Sequence, residues 1–327
     1  MKEIQLFNLN PNWVTGFTQA DGCFNITFTK KKPNQIRLRA RFIISQHIKD
    51  ELLILSIKNF FNCGIIIKNK KEIQYVVNSI NDLINIIIPH FDKYPLKYGK
   101  YTSYLIFKNI IEKMKNKQHL TQKGLIDIIN LTYIMNPLGK RKINKKELFE
   151  FLKIKDFSIS DENNPYTDFS LSNKFLYQNE IDINFIGGLI QGDGCFNISF
   201  RKDLKIQAQL FIAQDMYSIE LLSEIKKFFN CGNIIDKKVK MSIIEIKNIN
   251  NLYNKILPLF NENLFFLDKL KQFIIFKQIV NLLYNKQHLT KDNKLKIVDL
   301  AYNMNNNGIK RKLTKEQFIQ IIINKYK

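Results

Sequence analysis

The chain has 327 residues, 45% of them hydrophobic, enough for one large core or two joined ones. Lys and Arg number 51 against 29 Asp and Glu, a formal charge of +22, and such an excess favours a polyanionic partner through counterion release. No apolar run approaches the roughly 18–20 residues that span a bilayer, and the basic residues are spread along the whole chain. A nucleic acid is therefore the better partner than a membrane surface.

In chain order, a short helix is expected to end at Asp21-Gly22, followed by strands over about 23–30 and 35–46. Alternation in the second strand puts Ile36, Leu38, Ala40 and Phe42 on one side and Gln35, Arg37, Arg39 and Arg41 on the other. An amphipathic helix over about 49–61, a second hairpin over about 64–78 and further helices complete a first unit. The same order then recurs: strands at about 195–202 and 205–214, a helix at about 217–229, a hairpin at about 233–246, then helices. In the recurring second strand, Ile206, Ala208, Leu210 and Ile212 oppose Lys205, Gln207 and Gln209.

Internal similarity decides the architecture. The words around Asp21 and Asp193 share Asp-Gly-Cys-Phe-Asn-Ile at an offset of 172 (193 − 21). Phe-Phe-Asn-Cys-Gly ends at Gly64 and again at Gly232, and Lys-Gln-His-Leu-Thr ends at Thr121 and Thr290. The expected division is one half over 1–155, a polar linker over 156–182 and a second half over 183–327. Each half is an αββαββα unit of an α+β fold, with antiparallel sheets. Two related halves imitate a symmetric dimer and suit a target with two half-sites, so the chain is expected to be a monomer with internal pseudo-two-fold symmetry.

The two Asp-Gly words carry the chemistry. Small residues four apart, Gly16/Ala20 and Gly188/Gly192, allow close approach along one helix face, and packing of the two helices would bring Asp21 beside Asp193. Carboxylates at helix C-termini oppose the macrodipole and repel each other, a conflict that hard divalent cations relieve. A single Asp-Gly reads as a helix stop with left-handed Gly; the duplication in a basic chain favours the metal. The cysteines (Cys23, Cys63, Cys195 and Cys231) form no CxxC and no metal-ligand cluster, and read as small buried residues in a reducing compartment.

Val14 to Gly22 and Ile186 to Gly194 resemble the two motifs of the single-chain LAGLIDADG homing endonucleases, and the likeness covers nearly the whole chain. The resemblance implies motif helices at the interface of the halves, sheets forming a saddle on the DNA major groove, and Mg²⁺-dependent staggered cleavage of long, asymmetric double-stranded DNA. It implies metal ligation by Asp21 and Asp193, with the carbonyls of Ala20 and Gly192, and Ca²⁺ binding without cleavage. Gln46 and Gln214 match a glutamine that holds the attacking water, and Lys100 and Lys269 match a basic residue near the scissile phosphate. No side chain is an obvious general base.

Direct DNA contacts are expected from the outward strand residues and the basic turns. In the first half these are Asn25, Thr27, Thr29, Lys30, Lys31, Lys32, Gln35, Arg37, Arg39, Arg41, Lys68, Lys70 and Lys71. In the second they are Asn197, Ser199, Arg201, Lys205, Gln207, Gln209, Lys237, Lys238 and Lys240. Because Arg favours guanine and Gln adenine, the half-site facing the arginines should be richer in G. The same resemblance also covers intron-encoded maturases that bind their own intron RNA, and a silent DNA-binding protein is a further alternative; the presence of both motif carboxylates favours cleavage. Heavy use of Lys, Asn and Ile, whose codons are A/T-rich, and an N-terminus without a presequence point to a mitochondrial, organelle-encoded protein.

Overall fold

The computed structural model describes residues 5–154, 180–201, 205–237, 240–304 and 311–326. The chain divides into two compact units, Met1–Glu180 and Ile181–Lys327. Most of the expected linker, and Lys238, lie outside the described residues.

The first unit opens with α1, Pro11–Asp21, started by the Asn10 side chain accepting from the Asn12 backbone N–H, with Pro at the first helical position where no N–H is needed. β1 (Gly22–Lys30) and β2 (Ile36–His47) form a hairpin; α2 (Glu51–Phe61) crosses to a second hairpin, β3 (Ile65–Lys68) and β4 (Glu72–Val77). The strands form one antiparallel sheet in the order β1-β2-β4-β3. Then follow α3 (Ile88–Lys93), α4 (Tyr98–Lys115), α5 (Gln122–Ile134) and α6 (Lys145–Phe151).

The second unit repeats the plan. α7 (Ile183–Asp193) is capped by the Asp182 carboxylate. β5 (Gly194–Phe200), β6 (Ile206–Asp215), β7 (Asn233–Lys237) and β8 (Met241–Ile246) make a sheet in the order β5-β6-β8-β7, with α8 (Ile219–Phe229) between the hairpins. α9 (Leu267–Tyr284), α10 (Lys291–Tyr302) and α11 (Lys315–Lys325) close the unit. The αββαββα order is as expected, with extra helices after it.

One face of each sheet is dry. Phe24 and Phe42 stack at 5.4 Å and meet Phe91, Tyr104 and Phe107 from the helices. The second unit repeats this with Phe196 against Phe265, Phe273 and Phe276. Phe24, Phe42, Phe91, Phe107, Phe196, Phe273 and Phe276 are all fully buried. Each such side chain contributes about 2–3 kcal/mol by leaving water, so the aromatic clusters hold the helices on the sheets and leave the opposite faces open.

Arg141 and Arg311 fasten the far ends of these faces in the same way. Arg141 lies over the Tyr133 ring and donates to the carbonyls of Thr132 and Met135 at the end of α5. Arg311 lies over Phe200 and Tyr302 and donates to Ala301 at the end of α10. Cations at helix C-termini satisfy the last carbonyls and complement the dipole.

Candidate functional site

Each motif helix stops at its aspartate, and the stop is not the left-handed glycine by which a lone Asp-Gly would read as a simple helix end. Gly22 has φ −78° and ψ 148°, so the chain runs straight from α1 into β1. Glycine is required for space: a Cβ on Gly22 would lie 2.4 Å from Thr18 Cγ2, and one on Gly194 2.6 Å from Ile190 Cα. This tight passage places the carboxylate beside the end of the neighbouring strand.

There, Gln46 Nε2 donates to Asp21 Oδ2 at 2.6 Å, and Gln214 Nε2 donates to Asp193 Oδ2 at 2.9 Å. Gln214 Nε2 also donates to the Ala213 carbonyl, which commits both amide protons and leaves Oε1 as the group able to accept. Lys100 Nζ donates to the Gly22 carbonyl at 2.7 Å, and Lys269 Nζ to the Gly194 carbonyl at 2.6 Å. Thus each unit independently brings together the aspartate, glutamine and lysine expected from the sequence. Lys269 occupies in its unit the place that Lys100 has in the first. Ala20 and Gly192 lie in the last helical turns, where carbonyls lack intrahelical partners.

Two further residues set this geometry and were not singled out in the sequence. Gln19, 3% exposed, donates to the Lys97 carbonyl and accepts from the Lys97 N–H. Gln191 makes the same pair of bonds to the Phe266 backbone. Lys97 and Phe266 immediately precede α4 and α9, and the next residues, Tyr98 and Leu267, have φ +48° and +51°. A bulky residue in this region costs roughly 1–2 kcal/mol, and the glutamine clamp holds the chain there. The helices so started carry Lys100 and Lys269. The signal available in sequence was the Gln two residues before each motif Asp.

The motif helix of the first unit is also tied by Thr15. Its hydroxyl donates to the Tyr94 carbonyl, so it must accept from His90 Nε2, which fixes the proton on that nitrogen. Burial among Phe60, Phe61, Phe91 and Tyr94 lowers the His90 pKa to about 4. In the second unit Gly187 takes the place of Thr15 and packs against Leu264. His119 and His288 sit in short turns ahead of Thr121 and Thr290, and those threonines, not the histidines, cap the following helices.

The open faces of the sheets carry the expected polar rows. In the first, the register pairs Asn25 with Arg41, Thr27 with Arg39 and Thr29 with Arg37. Asn25 Oδ1 and Arg41 Nε are buried and lack a hydrogen-bond partner among the described residues, a cost that a ligand on this face would relieve. Exposed Ile65 and Ile67 of β3 extend the face with apolar groups. In the second sheet, Asn197 opposes Gln209 and Ser199 opposes Gln207. Lys31, Lys32, Gln35, Lys70 and Lys71 are exposed in turns of the first unit; Arg201, Lys205 and Lys240 are exposed in the second.

Two lysines do not belong to these rows. Lys30 shares the parity of Phe24, Ile26 and Phe28, so its side chain turns to the helix side, where Nζ meets Glu147 at 2.9 Å and lies over Phe151. Lys68 pairs with Ile73, whose side chain is in the core, and its ammonium meets Glu51 of α2 at 3.0 Å. Both corrections follow from strand alternation. For Lys237, the backbone ends β7.

Among the described residues, no group of three or more His, Cys, Asp or Glu side chains comes together. Each unit therefore offers one carboxylate with neutral oxygen donors, a donor set that fits a hard cation such as Mg²⁺, which retains several waters. No helix among the described residues is long and apolar enough to cross a membrane.

The sequence matches the LAGLIDADG endonuclease family over residues 14–111 and 186–280. A probable intron-encoded DNA endonuclease of Mycosarcoma maydis is 32% identical over 80% of this chain and 96% of its own length. Among solved structures, the LAGLIDADG homing endonuclease I-GzeII in complex with its DNA target has 31% identity and a TM-score of 0.77, covering 92% of this chain and 99% of that one. I-SmaMI, bound to an uncleaved DNA target in the presence of calcium ions, has 27% identity and a TM-score of 0.76 over 91% of this chain and 99% of its own. With two matched regions, each containing an aspartate, glutamine and lysine in the same geometry, this chain belongs to the LAGLIDADG endonuclease family.

Proposed function

We propose that the chain is a monomeric, Mg²⁺-dependent homing endonuclease that makes a staggered double-strand break in a long, asymmetric DNA target. The observation that carries this reading is the duplicated cluster: Gln46 on Asp21 with Lys100 on the Gly22 carbonyl, and Gln214 on Asp193 with Lys269 on the Gly194 carbonyl. Two scissile phosphates, one per strand, need two such sets. Each half, 1–155 and 183–327, supplies one.

Asp21 and Asp193, with the Ala20 and Gly192 carbonyls, would hold the metal, which lowers the pKa of a bound water and neutralises charge on the phosphate. Gln46 and Gln214 orient the carboxylates through their amide N–H groups, and their carbonyl oxygens are suited to accept a hydrogen bond from the attacking water and so hold it in place. A lysine ammonium has three N–H donors. The bond from Lys100 to the Gly22 carbonyl therefore leaves donors for a phosphate oxygen, where charge develops as the leaving group departs.

Base readout falls to the open sheet faces: Asn25, Thr27, Thr29, Arg37, Arg39 and Arg41 in one half, and Asn197, Ser199, Gln207 and Gln209 in the other. Gln35, Lys31, Lys32, Lys70, Lys71, Arg201, Lys205 and Lys240 flank them as phosphate contacts. An organelle intron as the source is supported by the A/T-codon bias and by the intron-encoded relative. The test is selection of bound sites from random-sequence duplexes in Ca²⁺, followed by cleavage of the selected sites in Mg²⁺. Linear product supports the reading; binding without a cut in any divalent cation overturns it.

A further inference from the structure

Glu245 is an unexpected residue on the open face of the second sheet. It lies in β8 opposite Phe211 and is 8% exposed. Gln209 Nε2 donates to Glu245 Oε1, Lys247 Nζ meets Glu245 Oε2 at 2.7 Å, and Asn197 Nδ2 donates to Gln209 Oε1 at 3.4 Å. A row thus runs across three strands: Asn197, Gln209, Glu245.

An ionised carboxylate can only accept hydrogen bonds, so it forces the Gln209 amide nitrogen to the β8 side and its oxygen to the β5 side. A glutamine without that neighbour can turn its amide over at little cost. The matching row of the first sheet is Asn25, Arg41 and Val76, since Ile43 opposes Val76 as Phe211 opposes Glu245. There the carboxylate is absent and the central residue is all donor.

We propose that Glu245 is a positioning residue for base recognition: by fixing the amide of Gln209 it makes one base pair of the C-terminal half-site read as adenine in one strand orientation. A fixed amide presents a donor to N7 and an acceptor to the N6 amino group in a set order, and guanine, whose N7 and O6 are both acceptors, is refused. This inference rests on the reading of the sheets as base-contacting surfaces. It adds which residue enforces the choice, and it fits Arg41 standing beside Val76 in the first sheet, since beside a carboxylate such as Glu245 an arginine would be captured in an ion pair.

The test uses the full chain and a duplex site selected from random sequence, with every base pair replaced in turn by the other three. Wild type, Glu245→Val, Glu245→Gln, Gln209→Arg and the double variant Gln209→Arg/Glu245→Val are compared by relative cleavage of each duplex, and thermal melting confirms that each is folded. Discrimination at a single base pair should fall by about tenfold or more in Glu245→Val and in Glu245→Gln, with the rest of the profile and the rate on the best site retained. Gln209→Arg alone should gain little preference for guanine at that pair, whereas the double variant should gain it strongly. Unchanged profiles in the Glu245 variants, or equal guanine preference in Gln209→Arg with and without Glu245, overturn the inference while the endonuclease stands. Failure of the wild type to select or cut any duplex overturns the underlying reading, and the inference with it.

Discussion

Replacing Gln19 by leucine keeps the volume of a buried side chain and removes both of its hydrogen bonds to Lys97. The Lys97 carbonyl retains the Tyr101 N–H at 3.3 Å, so the main loss falls on the Lys97 N–H. One buried group losing its partner costs roughly 1–3 kcal/mol, and the second bond adds about 1 kcal/mol, so a destabilisation of about 2–4 kcal/mol is expected. Part returns if Tyr98 relaxes from its φ of +48°, and that relaxation moves the first turn of α4 and Lys100 with it. The assay pairs urea unfolding with single-turnover cleavage at saturating protein. Stability should fall by that amount, and cleavage on folded protein should slow by about tenfold or more (roughly 1.4 kcal/mol of barrier) with DNA affinity in Ca²⁺ nearly unchanged. Wild-type stability together with a wild-type cleavage rate in Gln19→Leu would refute the clamp.

Other expectations follow from the same geometry. His90, lowered to about 4 by burial, is neutral when folded, while the unfolded residue protonates near 6.5. The unfolded chain therefore binds the extra proton, so stability present above pH 6.5 is lost as pH falls towards 4, by roughly 3 kcal/mol in all. Urea unfolding at several pH values should show that slope, and His90→Gln should remove it; an unaltered slope contradicts the assignment. Gly22→Ala should abolish cleavage while binding persists, because its Cβ would meet Thr18 at 2.4 Å; a crystal structure of the variant with Asp21 and Gln46 unmoved would count against this. Arg39→Ala should relax preference at one base pair, whereas Lys31→Ala should weaken all sites alike and reduce the salt slope by about 1, which filter binding across salt concentrations would measure.

Much of this was legible in sequence because the fold repeats words as well as shapes. The offset between Asp21 and Asp193 located both motif helices, and period-two alternation in Arg37, Arg39 and Arg41 identified the open face. What escaped depended on register or on distance in the chain. Lys30 and Lys68 looked like turn lysines that meet phosphates, but their parity with Phe28 and Ile73 sends them to the helix side. Glu245 could not be placed opposite Phe211 until β8 was paired with β6. Gln19 recurs as Gln191 two residues before each motif Asp, but the repeat does not say that it reaches a backbone 78 residues away. Gly22 was legible as a helix stop, yet its requirement is the close approach of Thr18 rather than a left-handed φ.

The most direct test is cleavage of a selected duplex site on a supercoiled plasmid in Mg²⁺, comparing wild type with Asp21→Asn and Asp193→Asn, with binding in Ca²⁺ measured alongside. Linear product from wild type, and its loss in both variants with site binding retained, is the predicted result. Linear product at the wild-type rate from either variant would contradict the assignment of one essential carboxylate to each half.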